Sequence, residues 1–173
     1  MKRKLATTAA LCLLIVALIA LTAAPAASAK ASKINITGTE AIAGSNPLPP
    51  VFTGGVAHLE AENLFYDSAP PYDALLGGWN RTHLYAVATV VDGVPTDSVM
   101  RGTFHKDCAL GEWEGTFSGT MNMVDLTWDC TIVGKGVSGA VAGMLFFGRN
   151  VKTEPGPYAA GILTGTVLAP KGF

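Results

Sequence analysis

Glu112 and Glu114 flank Trp113 and are the first residues in this chain whose spacing suggests chemistry. Two carboxylates act as general acid and base when their surroundings separate their pKa values. On an extended segment, however, residues i and i+2 lie side by side on one face. The paired acids of a glycosidase instead face each other from separate elements across a cleft. The pair therefore reads as a solvated strand face, with Trp113 pointing the other way. His58, Glu60 and Glu62 also alternate along one face and offer cation ligands. A zinc site needs three or four convergent ligands, and His58, His83 and His105 fall in three separate segments. This face also reads as solvated, and no metal site is expected. The chain has no GxSxG elbow, Walker loop, GxGxxG, HExxH or CxxC, so no catalytic motif is assigned and no cofactor is expected.

The aromatic residues point instead to a pocket. Tyr85, Phe104, Trp113, Phe117, Trp128, Phe146 and Phe147 are candidates to line an interior. Arg101 and Arg149 are the strand-associated arginines, and one of them near an open end would anchor an acidic ligand group. Small barrels fill their interior with side chains, and slightly larger ones hold a ligand.

The elements that would position these residues are strands. Lys33–Ile42 is the first candidate, and Gly55–Phe65 the second, with Leu59 and Ala61 opposite His58, Glu60 and Glu62. A long connection, residues 66–80, carries Pro70-Pro71 and Gly77-Gly78, which suit a helical turn or two. Thr82–Val91 is apolar and β-branched on both faces and ends at the turn Asp92-Gly93. Val99–His105, Glu112–Met121, Val124–Val133, Lys135–Phe147 and Tyr158–Leu168 follow. In Glu112–Met121 the residues Trp113, Phe117 and Met121 share a face, as do Trp128, Cys130 and Ile132 in the next segment. About eight strands with frequent turn signals and no intervening helices predict an all-β antiparallel barrel, or else a β-sandwich. Gly115/Gly119, Gly139/Gly143 and Gly161/Gly165 recur at four-residue spacing, on one face of each strand. Such glycines permit sharp coiling and close approach, which favours the closed barrel.

The N-terminus predicts export. Lys2, Arg3 and Lys4 precede an uncharged apolar stretch, Leu5–Leu21, and Ala27-Ser28-Ala29 offers a small-x-small cleavage site. These are the three parts of a signal peptide, here residues 1–29, so Lys30 is the expected mature N-terminus and residues 30–173 one secreted or extracytoplasmic domain. Three of the 12 basic and none of the 13 acidic residues fall in the leader, leaving a formal charge of −4. That balance argues against nucleic-acid binding and against docking on anionic membranes. No second apolar segment long enough to span a bilayer follows Ala29.

Two cysteines remain after cleavage, Cys108 and Cys130. An even count in an exported chain predicts one disulfide. The expectation carries a geometric demand. One strand lies between the two segments, and flat strands that far apart exceed the Cα separation a disulfide tolerates. Residues 105–111 would have to fold back toward Cys130. Asn35-Ile36-Thr37 and Asn80-Arg81-Thr82 match the N-glycosylation sequon.

The run Gly111-Glu112-Trp113-Glu114-Gly115-Thr116-Phe117-Ser118-Gly119, then Gly134-Lys135-Gly136 and Tyr158-Ala159-Ala160-Gly161-Ile162, resembles the C-terminal half of bacterial secreted domains of unknown function with an allene oxide cyclase-type β-barrel. The resemblance covers residues 110–168. It implies an eight-stranded antiparallel barrel with an apolar cavity and carries over no catalytic residue. Three functions are expected from these readings. The first is a binding module for a small apolar ligand or a protein partner. The second is a cofactor-free enzyme of the cyclase or isomerase type, which a convergent buried polar pair inside the barrel would favour. The third is a structural or surface-associated protein that assembles through strand edges.

Overall fold

The computed structural model describes residues 31–170 and Phe173, and the expected leader at 1–29 lies outside the described residues. The strands are β1 (Ser32–Pro47), β2 (Val51–Thr53), β3 (Val56–Ser68), β4 (Gly78–Val91), β5 (Val94–Cys108), β6 (Gly111–Asn122), β7 (Thr127–Gly136), β8 (Leu145–Lys152) and β9 (Gly161–Ala169). They form one antiparallel sheet in the order β1-β9-β8-β7-β6-β5-β4-β3-β2. The long β1 pairs with β9 through its first half and with β3 through its second, which closes eight strands into a barrel. A bulge between Ile42 and Gly44 re-aims β1 at this seam. The short β2 continues along β3 where β1 has left it, pairing Val51–Thr53 with Val56–His58. Closure therefore joins the two long edges that an open sheet would have exposed.

Two features follow from the chain's small residues. The hairpins β2–β3 and β4–β5 turn on Gly54-Gly55 and Asp92-Gly93, all four at positive φ, as tight hairpin turns require. Inside the barrel, glycines are sockets for rings. A Cβ on Gly115 would lie 2.5 Å from Phe104, one on Gly102 2.4 Å from Phe117, and one on Gly165 2.6 Å from Phe146. These phenylalanines rest on glycines of neighbouring strands, which keeps their rings against the wall. Packing at interior density would not admit an added methyl group there.

The two ends of the barrel differ. At one end the connection β3–β4 forms a single helical turn, α1 (Asp73–Leu76). Asp73 Oδ1 holds it by accepting from Ala69 N at 2.6 Å and from the Ser68 hydroxyl at 3.2 Å. Leu75 and Leu76 are buried and plug this end, with Val141 and Met144 from the β7–β8 connection beside them in the core. That connection contains a 3-10 turn, Gly139–Val141, so the expected strand Lys135–Phe147 is interrupted there. Gly139 and Gly143 take positive φ in the turn and do not act as a strand pair. The other end carries the hairpin loops and is open.

Candidate functional site

The barrel encloses a cavity of about 360 Å³. Most of its wall is apolar: Ile42, Leu59, Phe65, Leu84, Ala86, Met100, Phe104, Trp113, Phe117, Trp128, Ile132, Phe146 and Leu163 all line it. Ser45 and Pro47 near the end of β1, with Leu48, Met123, Leu126 and Pro157 from the loops, line it at the open end. Lys152 ties two of these loops together. Its ammonium donates to Leu126 O at 2.7 Å and to Gly156 O, and lies 4.8 Å from the Trp128 ring centroid. On one wall the Ser45 hydroxyl donates to Asn63 Oδ1 at 2.6 Å, so these polar groups satisfy each other.

The inner end of the cavity is polar. Glu40 stands opposite Asp67 across the β1–β3 seam, and Asn80 opposite Lys106 across β4–β5. All four are buried. Lys106 pairs with Asp67 Oδ2 and also donates to Leu76 O at 3.2 Å. Asn80 Nδ2 donates to Glu40 Oε2 at 3.2 Å and reaches Asp67 Oδ2 at 3.4 Å. Asn150 Nδ2 donates to Glu40 Oε1 at 2.7 Å, while Asn150 Oδ1 accepts from Trp128 Nε1 at 2.9 Å. Gly161 pairs with Glu40, and a Cβ there would lie 2.2 Å from Asn150 Oδ1. The missing side chain gives Asn150 its path past β9 to Glu40.

One cation thus faces two carboxyls in a dry setting. Burial first, then the neighbouring Asp67 carboxylate, push the Glu40 carboxyl up to about 8, partly offset by the Lys106 ammonium. With Lys106 paired to Asp67, a protonated Glu40 leaves the cluster neutral. The protonated carboxyl shares a hydrogen bond with Asp67. Glu40, Asn80 and Lys106 border the cavity, and Asp67 lies behind them.

Of the nine ligand-pocket candidates, Phe104, Trp113, Phe117, Trp128 and Phe146 line the cavity. Tyr85 and Arg101 do not. They pair with each other on the outer face of β4 and β5, and Tyr85 is 44% exposed. Leu84, Ala86 and Met100, Gly102 hold the inward positions of these strands, so alternation sends Tyr85 and Arg101 out. Phe147 points outward for the same reason, opposite in sense to Phe146. Arg149 is spent outside the barrel, where its Nε donates to Asp129 Oδ1 at 2.7 Å and holds that carboxyl below its ordinary range.

The expected disulfide is absent: Cys108 and Cys130 are both free thiols. Cys130 pairs with Gly119, and Gly119 with Met100, eight residues along β5 from Cys108. Eight strand residues span about 26 Å, far beyond disulfide reach. Residues 105–111 do not fold back but run straight into the β5–β6 hairpin, where Cys108 Sγ donates to Leu75 O at 3.1 Å. Cys130 lines the cavity, and burial pushes its thiol up to about 12.

Glu112 and Glu114 are exposed and Trp113 is fully buried on the opposite face, its Nε1 donating to Leu75 O at 2.9 Å. Glu60 pairs with His83 at 2.7 Å on the outside of the barrel. His105, Asp107 and Glu112 bring ligand atoms within 4.8 Å of one another, yet Asp107 is paired with Arg81 at 3.3 Å and His105 also faces Glu114. The sequon at Asn80 is buried, with Asn80 and Thr82 both inside the barrel, whereas Asn35 is exposed. No protein-family model, no curated protein and no solved structure matches this chain.

Proposed function

We propose that this chain is an exported barrel that takes a small apolar ligand through its open end. The observation that carries the reading is the cavity: about 360 Å³, walled by aliphatic and aromatic side chains, with a few convergent polar groups at its inner end. Small-molecule sites have this size and this composition. The likeness of residues 110–168 to allene oxide cyclase-type barrels implies an apolar cavity of the same kind. Trp113 and Trp128 line the space, so a fluorescence screen of residues 30–173 against lipids, terpenoids and pigments tests the reading. A saturable spectral shift is expected with at least one class, and it should vanish in Ala86→Phe, which fills the cavity from its wall. No shift with any class would overturn the proposal.

A second reading, a cofactor-free isomerase or cyclase, is favoured by one specific observation. Glu40 is a carboxyl raised to about 8 at the edge of an apolar cavity, which is how enzymes keep an acid or base ready near neutral pH. An unsaturated ketone whose double bond migrates by proton transfer is the probe. Turnover that rises or falls through an apparent pKa near 8 and is lost in Glu40→Gln would support it, and no turnover with such probes would count against it.

A further inference from the structure

The hairpins and connections at the open end of the barrel carry exposed apolar side chains. Tyr158 in the β8–β9 connection is 93% exposed, Val124 in the β6–β7 turn 62% and Phe52 in β2 55%. Val91 and Val94 face each other across the Asp92-Gly93 turn, and both are exposed. These residues stand on one braced rim. Gly55 O accepts from Val90 N at 3.1 Å, Thr96 O from Met123 N at 2.8 Å and Asp125 O from Gly156 N at 2.8 Å. The bonds tie the β2–β3 hairpin to the β4–β5 hairpin, that hairpin to the β6–β7 turn, and the turn to the β8–β9 connection. The apolar surface continues inward. Met123 and Pro157 line the cavity while their neighbours Val124 and Tyr158 stand outside it, and Leu48 both lines it and is exposed.

A contiguous exposed apolar surface marks a place of contact, and the charges around it indicate with what. Asp92, Asp97, Asp125 and Glu154 are exposed on the same loops. Among the described residues these loops carry no exposed Lys or Arg, and the adjoining Lys152 is buried and bonded to Leu126 O and Gly156 O. A second copy set mouth to mouth would double the carboxylates around a dry seam with no cation to meet them. An anionic lipid surface would repel them. A zwitterionic lipid surface presents ammonium groups outermost, which complement carboxylates. Beneath them lies hydrocarbon for Val124 and Phe52, and the headgroup level suits an amphipathic ring such as that of Tyr158. A basic protein partner would also meet the charges but would stopper the mouth, whereas a lipid surface lets the cavity exchange apolar molecules; on this point the inference rests on the ligand-binding reading above. We propose that the open rim is a docking surface for zwitterionic lipid, with the mouth of the cavity turned toward the hydrocarbon.

The test is co-sedimentation of the exported protein, its leader removed, at pH 7.5 with vesicles of phosphatidylcholine and with vesicles containing one-third phosphatidylglycerol. Binding to the first is expected, and weaker binding to the second. Val124→Asp and Tyr158→Asp alter exposed loop residues off the cavity wall. Each should weaken vesicle binding about tenfold or more, the size of one apolar side chain kept in water. Binding of the uncharged dye N-phenyl-1-naphthylamine in vesicle-free buffer should be unchanged in both. If either variant fails to fold, the wild-type choice between the two vesicles decides the matter. No vesicle binding, with the dye still bound, would overturn the inference, hand the rim to a protein partner and leave the ligand reading standing. Vesicle binding without dye binding would support the docking and count against the ligand reading. Equal or tighter binding to the anionic vesicles would overturn the inference, and so would a concentration-dependent dimer in vesicle-free sedimentation that both variants dissociate.

Discussion

Glu40→Gln is the perturbation that most directly tests the polar inner end of the barrel. In the folded protein the Glu40 carboxyl holds its proton up to about 8, against an ordinary value of 4.5. That difference corresponds to roughly 5 kcal/mol. The sign follows from linkage. Between pH 4.5 and 8 the folded state binds more protons than the unfolded state, so unfolding free energy falls as pH rises. The contribution is complete below pH 4.5 and gone above about pH 8. Against a total stability of about 5–15 kcal/mol, this one group would dominate the alkaline side of the profile. Glutamine is the near-isosteric stand-in for the protonated acid. Its carbonyl accepts from Asn150 Nδ2, and its amide donates toward Asp67. The assay is urea unfolding of residues 30–173 followed by tryptophan fluorescence, at intervals from pH 5 to pH 9, for both proteins. Histidine and surface carboxylate titrations are common to both and cancel in the difference. With a slope of about 2 kcal/mol per molar urea, the wild-type midpoint should fall by roughly 2 M relative to Glu40→Gln across this range. The curves should lie close together at pH 5 and diverge at pH 9. Parallel midpoints at every pH would refute the reasoning, because they would mean that Glu40 ionises as readily inside the barrel as in the unfolded chain.

Two further outcomes follow from the packing. Gly115→Ala should destabilise the domain by about 2–3 kcal/mol, since its Cβ would meet Val133 O at 2.1 Å and Phe104 at 2.5 Å; Gly44→Ala, with nothing nearer than 4.0 Å, should stay within about 0.5 kcal/mol of wild type, and urea midpoints compare them. The denatured, unreduced protein from Lys30 onward should titrate two thiols per chain, while Cys130 should resist thiol reagents in the native state because its thiol is raised to about 12 and buried; one thiol or none after denaturation would contradict the separation of Cys108 from Cys130.

The strands were legible in the sequence because one face of each is wet and the other dry. Trp113, Phe117 and Met121 in β6, and Trp128, Cys130 and Ile132 in β7, announce their inward face by alternation. Where both faces are apolar the parity is not legible. Thr82–Val91 is such a segment, and Tyr85 went to the wrong side for that reason. The polar cluster was partly legible. Glu40 is in phase with Ile34, Ile36 and Ile42 along β1, and Lys106 with Met100 and Phe104 along β5. A charge in step with an apolar face is a signal for a buried ion. It is easily read as the end of a strand, because charged residues are rarely buried unless paired. Which partner each would find depends on the β1–β3 seam, a pairing between distant segments. The disulfide expectation failed on the same kind of information. A count of two cysteines says nothing about the eight residues of β5 that separate their levels.

The polar cluster also accounts for why the seam closes in one register. Apolar strands paired across a closure can slide, and a one-residue slip turns every side chain to the other face. Here such a slip of β1 against β3 would carry Glu40 out into water. It would leave Asn150 Nδ2 without its acceptor and weaken the hold on Asn80, both buried in the barrel. Each abandoned group would cost about 1–3 kcal/mol. Those penalties together are a sizeable fraction of the whole stability of a domain of this size. A buried ion pair is weak support for stability as such, and its best-attested use is to fix register. The arrangement around Glu40 fits that use: β1, β3, β4, β5, β7 and β8 all contribute a side chain to one connected network. The same residues that align the seam then set the chemistry of the cavity's inner end. Substitution of Glu40 should therefore alter the stability of the domain and the polarity of the cavity's inner end together.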